Sequence, residues 1–267
     1  MIDLIAFEEV RSASSKANEK RADKMVDIKD RWVLVTGSSR GIGRLIAEFM
    51  AAQGANLILH GRKIENLSDA YSSVKSLGVK VHAVAAELSE PEEVLAMLGE
   101  IDKLGVRVDV VFNDAGMQVA YRNEYFKTPV QDFTKSFLIN TIAPAVITYH
   151  FLPKMIEAGF GRIINTTSGI RNEPEQAGYS ASKAALDKFT TDICRDIQGT
   201  PVMINITDPG WCRTDLGGSH APNDPLSSIP GMVVGAFLDD NKSGRLLPAQ
   251  DYVGLTLEEA VQKALAK

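Results

Sequence analysis

The chain has 267 residues, 45% of them hydrophobic and 24% charged, and a net charge of -5, an ordinary globular composition with length enough for one large core. That acidic balance lacks the basic excess that neutralises nucleic-acid phosphates, so no nucleic-acid partner is expected. Its two cysteines, Cys194 and Cys212, and four scattered histidines, His60, His82, His150 and His220, have no ligand spacing, which argues against a disulfide scaffold or a metal site.

Residues 1–28 are polar and lack a clear apolar stripe after Val10, so they are expected to form an arm before a single domain over 29–267. Asp3, Glu8 and Glu9 interrupt the first apolar residues and no long apolar span follows, so neither a secretion signal nor a membrane span is expected. A cytoplasmic location with free thiols fits that reading.

From Trp32 onward the pattern changes. Short, nearly continuous β-branched or apolar runs occupy 32–37, 56–61, 79–85, 107–113, 161–167 and 202–210, as in strands covered on both faces. Helix-length segments separate them at 42–54, 65–78, 91–105, about 129–158 and 178–197, several ending in Gly, and Ser89 before Pro91 and Glu92 has the pattern of a capped start. A last strand near Gly244–Ala249 and a closing amphipathic helix complete the chain. Strand and helix alternate throughout, so the expected class is α/β, a single Rossmann-like doubly wound parallel sheet flanked by helices on both faces. Ligands of such sheets bind outside the carboxyl ends of the strands.

The first strand-to-helix turn reads Thr-Gly-Ser-Ser-Arg-Gly-Ile-Gly, residues 36–43. Gly37 can make the sharp turn, and Gly41 and Gly43 let a pyrophosphate approach the helix N-terminus. The TGxxxGxG spacing, with Tyr179-x-x-x-Lys183 downstream, resembles the classical short-chain dehydrogenase/reductase family from about Asp27 to Asp215. The turn residues Gly37, Ser39, Arg40, Gly41, Ile42 and Gly43 are then cofactor-binding candidates. The second strand ends in His-Gly-Arg-Lys, without the carboxylate that binds a ribose 2′-hydroxyl. Arg62, with Lys63 beside it and Arg40 in the turn, suits a 2′-phosphate instead, so NADP(H) is expected in preference to NAD(H).

The resemblance implies further cofactor contacts from Glu87 and Leu88, where the family commonly has an Asp before an apolar residue. It implies others from Asn113, Ala115 and Gly116, where Asp114 replaces the family's usual second Asn. Pro209, Gly210 and Thr214 match its Pro-Gly segment beside the nicotinamide. Trp211 is a candidate substrate wall.

Residues four apart share a helix face, so Tyr179 and Lys183 can point together into the crevice, where the ammonium favours phenolate. The resemblance assigns proton transfer to Tyr179, ribose binding to Lys183, substrate orientation to Ser168 and support of a relay water to Asn140. The Ser168–Tyr179 interval is one or two residues shorter than usual, which leaves Thr166 or Thr167 as alternative hydroxyls. Residues 214–232, rich in Gly, Pro and Ser, are expected to form a mobile substrate lid.

The reaction expected is NADPH-dependent reduction of a ketone or aldehyde to an alcohol, or its reverse. A catalytically silent NADP(H)-binding sensor on the same fold is the alternative. The resemblance also implies a homodimer or homotetramer; the partner is otherwise a small carbonyl or alcohol substrate.

Overall fold

The computed structural model describes residues 25–267, so residues 1–24 of the expected arm lie outside the described residues. Seven parallel strands form one sheet in the order β3-β2-β1-β4-β5-β6-β7. They are β1 (Trp32–Val35), β2 (Asn56–Gly61), β3 (Val81–Ala85), β4 (Val108–Asn113), β5 (Gly161–Thr166), β6 (Val202–Asp208) and β7 (Leu246–Pro248). The order reverses between β1 and β4, which opens a crevice at their carboxyl ends.

The helices are α1 (Gly41–Ala52), α2 (Ser68–Ser76), α3 (Pro91–Lys103), α4 (Val130–Phe137), α5 (Ala143–Glu157), α6 (Ala177–Asp196), α7 (Ile229–Val233) and α8 (Leu257–Leu265). Their apolar stripes cover both faces. Ile46, Met50, Met232 and Val261 pack with Leu57 and Phe112 on one side, and Leu98, Ile147 and Phe151 pack with Ile163 and Ile204 on the other. Every residue of β2, β4 and β5 is buried, which accounts for their unbroken apolar runs.

Four expectations change. The helix expected over 129–158 is broken by a π turn, Leu138–Ile142, between α4 and α5. The arm boundary moves, because Val26 and Ile28 are buried in the core and Val26 N–H donates to Phe237 O at 2.9 Å. Ser89 does not cap α3; the cap position is Glu90, with no side-chain bond. The end of the expected lid segment lies in the core, where Ile229, Met232 and Val233 are buried. That segment is tied at its base, where Cys212 pairs with Asn223 and Arg213 N–H donates to Asn223 O at 2.9 Å.

Candidate active site

A cavity of about 980 Å³ opens at the sheet's switch point. Its floor is the β1–α1 turn, where Gly37 adopts φ +70° and Gly41 φ +58°, conformations that only Gly takes without strain. A Cβ on Gly37 would lie 2.8 Å from Ala115 Cα, and one on Gly43 would lie 2.6 Å from Gly37 O. The turn is pinned from β2: Gly37 N–H donates to His60 Nδ1 at 3.1 Å, and His60 Nε2–H donates to Ala86 O at 3.1 Å. Burial pushes the His60 imidazole down to about 4, which keeps Nδ1 free to accept.

Ser39, Arg40, Gly41, Ile42, Arg62, Glu87, Leu88, Ala115, Gly116, Pro209 and Thr214 all line this cavity. Thr214 faces Gly41 across it, its Cγ2 3.6 Å from where a Gly41 Cβ would be. Arg40 reaches over the mouth to Asp215 at 3.1 Å, both side chains well exposed. Asn113 is placed differently. It is buried behind the wall, and its Nδ2 donates to Asn165 Oδ1 at 2.8 Å, joining β4 to β5. Gly43 also lies beneath the surface, against Gly37 and Asp114.

Of the four candidate catalytic residues, Tyr179 and Lys183 line the other half of the cavity, Asn140 is buried behind it and Ser168 stands just past the end of β5. Tyr179 and Lys183 occupy consecutive turns of α6 and line the cavity wall. The Ser168 hydroxyl, just past β5, lies beside the Tyr179 phenol, and burial raises the phenol's pKa above its ordinary value. Thr167 instead faces the Asp187 carboxyl one turn below Lys183, without a well-shaped bond. Lys183 Nζ donates to Thr166 O at 2.7 Å, and burial lowers its ammonium to about 8.

Asn140 sits in the π turn, a helix irregularity frequent at functional sites. Its Oδ1 accepts Met117 N–H at 2.8 Å, and its Nδ2 donates to Met117 O at 2.9 Å and Ser182 Oγ at 3.0 Å. A Cβ on Gly116 would lie 3.5 Å from both Asn140 Oδ1 and Lys183 Nζ, so the two side chains meet beside the Ala115–Gly116 wall. Pro144, four residues on, has no N–H to offer the Asn140 carbonyl, which an α-helix would otherwise occupy. That spacing was readable in the sequence and points to the break.

Two site residues that sequence reasoning left without a role are charged. Asp114 lines the cavity; its Oδ1 accepts the Thr166 hydroxyl at 2.9 Å, and burial pushes it up to about 6 against the attraction of Lys183. Asp208 ends β6, and its Oδ1 accepts Gly210 N–H at 2.9 Å. His60 is a third omission, visible only as a polar residue at the end of an apolar strand.

The glycine cradle, which any Cβ would obstruct, and the Arg62 and Arg40 guanidiniums at its rim fit a nicotinamide dinucleotide. The family model for short chain dehydrogenase matches residues 31–224. An uncharacterized oxidoreductase of Bacillus subtilis is 30% identical over 217 residues, 80% of each chain. The 3-oxoacyl-[acyl-carrier-protein] reductase of Aquifex aeolicus is 31% identical over 195 residues, 72% of this chain and 77% of its own. Among solved structures, a metagenomic short-chain oxidoreductase in complex with NADP superposes with a TM-score of 0.72 at 25% identity, covering 84% of this chain and 99% of its own. An oxidoreductase from E. coli superposes with a TM-score of 0.76 at 25% identity, over 87% and 99%. With the matched segment spanning both the glycine turn and the Tyr179–Lys183 helix, the chain belongs to the short-chain dehydrogenase/reductase family and is an NAD(P)-dependent oxidoreductase.

Proposed function

We propose that the protein reduces a ketone or aldehyde to an alcohol with NADPH, or runs the reverse oxidation. The observation that carries this reading is that Tyr179 and Lys183 stand together on the wall of the glycine-turn cavity, with Ser168 beside the phenol. The bound nicotinamide supplies the hydride, or accepts it in the reverse direction. Gly37, Ser39, Gly41 and Ile42 would hold the pyrophosphate, Lys183 the ribose, and Thr214 with the Pro209–Gly210 turn the nicotinamide end.

Ser168 and Tyr179 donate hydrogen bonds to the carbonyl oxygen. As that oxygen gains negative charge, the Tyr179 proton passes to it, and the Lys183 ammonium stabilises the phenolate left behind. The Asn140 carbonyl, freed by Pro144, offers an acceptor for a water that returns the proton by way of Lys183. Ser168 is preferred over Thr167 because Thr167 is turned toward Asp187.

Arg62 lines the cavity beyond β2 and forms no salt bridge among the described residues, which supports preference for a 2′-phosphate. Arg40 would exchange Asp215 for that phosphate, a small cost for an exposed pair. Assembly as a homodimer or homotetramer belongs to the same reading. It is supported by the apolar surface of α5 and α6, where exposed Tyr149 stacks edge-on against Phe189.

The test is oxidation of NADPH and NADH over a panel of carbonyls, with Tyr179→Phe, Arg40→Ala and Arg62→Ala. Turnover favouring NADPH, lost at least ~100-fold in Tyr179→Phe and with the cofactor preference relaxed in the arginine variants, is the expected result. Tight binding of NADPH without turnover would return the protein to the sensor reading. Equal affinity for both cofactors would remove the NADP preference.

A further inference from the structure

Asp208 has one carboxylate oxygen committed and one free. Oδ1 accepts Gly210 N–H at 2.9 Å and so fixes the Pro209–Gly210 turn. Oδ2 accepts no hydrogen bond and Asp208 forms no salt bridge among the described residues. This partly exposed carboxylate stands at the carboxyl end of β6, directly before Pro209, which lines the cavity.

Two observations locate it. Gly169 directly follows Ser168 and is exposed, and a Cβ built on it would lie 2.9 Å from Asp208 Oδ2. Any side chain there would crowd that oxygen, so Oδ2 stands uncovered beside the residue that follows Ser168. Its negative charge adds to burial in raising the Tyr179 phenol's pKa and works against burial in favour of the Lys183 ammonium. Lys183, the cation it influences, is already bonded to Thr166 O and is also stabilised by Asp114.

A carbonyl oxygen held between Ser168 and Tyr179 places the adjoining carbon of the substrate within the same small region. We propose that Asp208 is a specificity-determining residue that selects carbonyl substrates bearing a hydrogen-bond donor, a hydroxyl or an ammonium, on the carbon next to the carbonyl. A carboxylate in that place meets like charge and is rejected. This inference rests on the reductase reading. It concerns which carbonyl is chosen, and the proton transfer by Tyr179 is unchanged by it.

The experiment compares kcat/KM for four small ketones of similar size: butanone, hydroxyacetone, aminoacetone and pyruvate. The wild-type protein is expected to favour hydroxyacetone and aminoacetone over butanone by about tenfold or more, mostly through KM, and to use pyruvate least. Asp208→Ala should bring the four values together. Gly169→Ala keeps the carboxylate but puts a methyl group against Oδ2, so it should lose the preference while butanone turnover survives. Asp208→Asn separates the two donors: an amide oxygen still accepts from a hydroxyl, but the advantage of the ammonium falls. The inference is overturned if butanone equals hydroxyacetone in the wild type, or if the preference persists in both Asp208→Ala and Gly169→Ala. Failure to turn over any of the four also overturns it, and touches the reductase reading only if the wider carbonyl panel is inert as well.

Discussion

At the residue scale, Asp114 stands where the family's usual pattern has a second asparagine. Its Oδ1 holds the Thr166 hydroxyl at 2.9 Å, and the carbonyl of the same Thr166 holds Lys183 Nζ at 2.7 Å. An amide could keep the first bond but would remove a negative charge that favours the Lys183 ammonium and the neutral Tyr179 phenol. Reduction needs both of those protonated forms. Asp114→Asn should therefore move the alkaline limb of kcat/KM to lower pH by about one unit, with activity below that limb largely kept. An unchanged limb in a pH-rate profile would show that Asp114 has no electrostatic hold on the pair. The sequence displayed this residue openly, yet its partner on β5 could not be inferred from it. That contact joins two strands 52 residues apart.

At the scale of elements, the two ends of β5 divide their work. The carboxyl end delivers Thr166 to the cavity wall and Ser168 to the side of Tyr179. The amino end begins with Arg162, fully buried although charged, whose guanidinium donates to Leu238 O, Gly161 O, Pro201 O and Asp239 Oδ1 at 2.8–2.9 Å. It ties β5 to the chain entering β6 and to the segment after α7. Arg162→Met would strand those acceptors in the interior, a loss of about 3 kcal/mol, while kcat/KM per folded molecule stays near wild type. Urea titration with parallel kinetics checks both halves; a stable variant, or a catalytic loss larger than the folding loss, contradicts the division. Strand positions were legible because parallel strands are apolar on both faces, and the glycine turn and Tyr179–Lys183 because their spacings are local. The break at Leu138–Ile142 was not legible from periodicity. A π turn changes the hydrogen-bond ladder by one residue without changing the apolar pattern, and only Pro144 marks it.

For the whole molecule, the site's buried groups set opposing terms in the dependence of stability on pH. His60 is held neutral, its pKa lowered to about 4 by burial, so between pH 6.5 and 4 the unfolded chain binds a proton that the folded chain refuses. That group removes stability as pH falls, about 3 kcal/mol in total. Asp114 acts in reverse. Its pKa is raised to about 6, so from pH 6 to its ordinary value of 3.8 the folded chain takes up a proton first and gains stability as pH falls. The gain approaches about 3 kcal/mol, reduced by the contact of Asp114 with the cavity. In the wild type the two terms largely cancel across the same window. Asp114→Asn removes the gain and leaves the loss, so its stability should fall relative to wild type by about 2–3 kcal/mol between pH 6.5 and 4. His60→Gln, which keeps an acceptor near Gly37 N–H, should gain relative to wild type over that window. Urea melts of the three proteins at pH 7, 6, 5 and 4 measure this directly, and the other carboxylates drop out because they are common to all three. Parallel stability curves would mean that neither group titrates differently on unfolding, and the coupling of the β2 end to the β4 end across the glycine turn would then be steric alone.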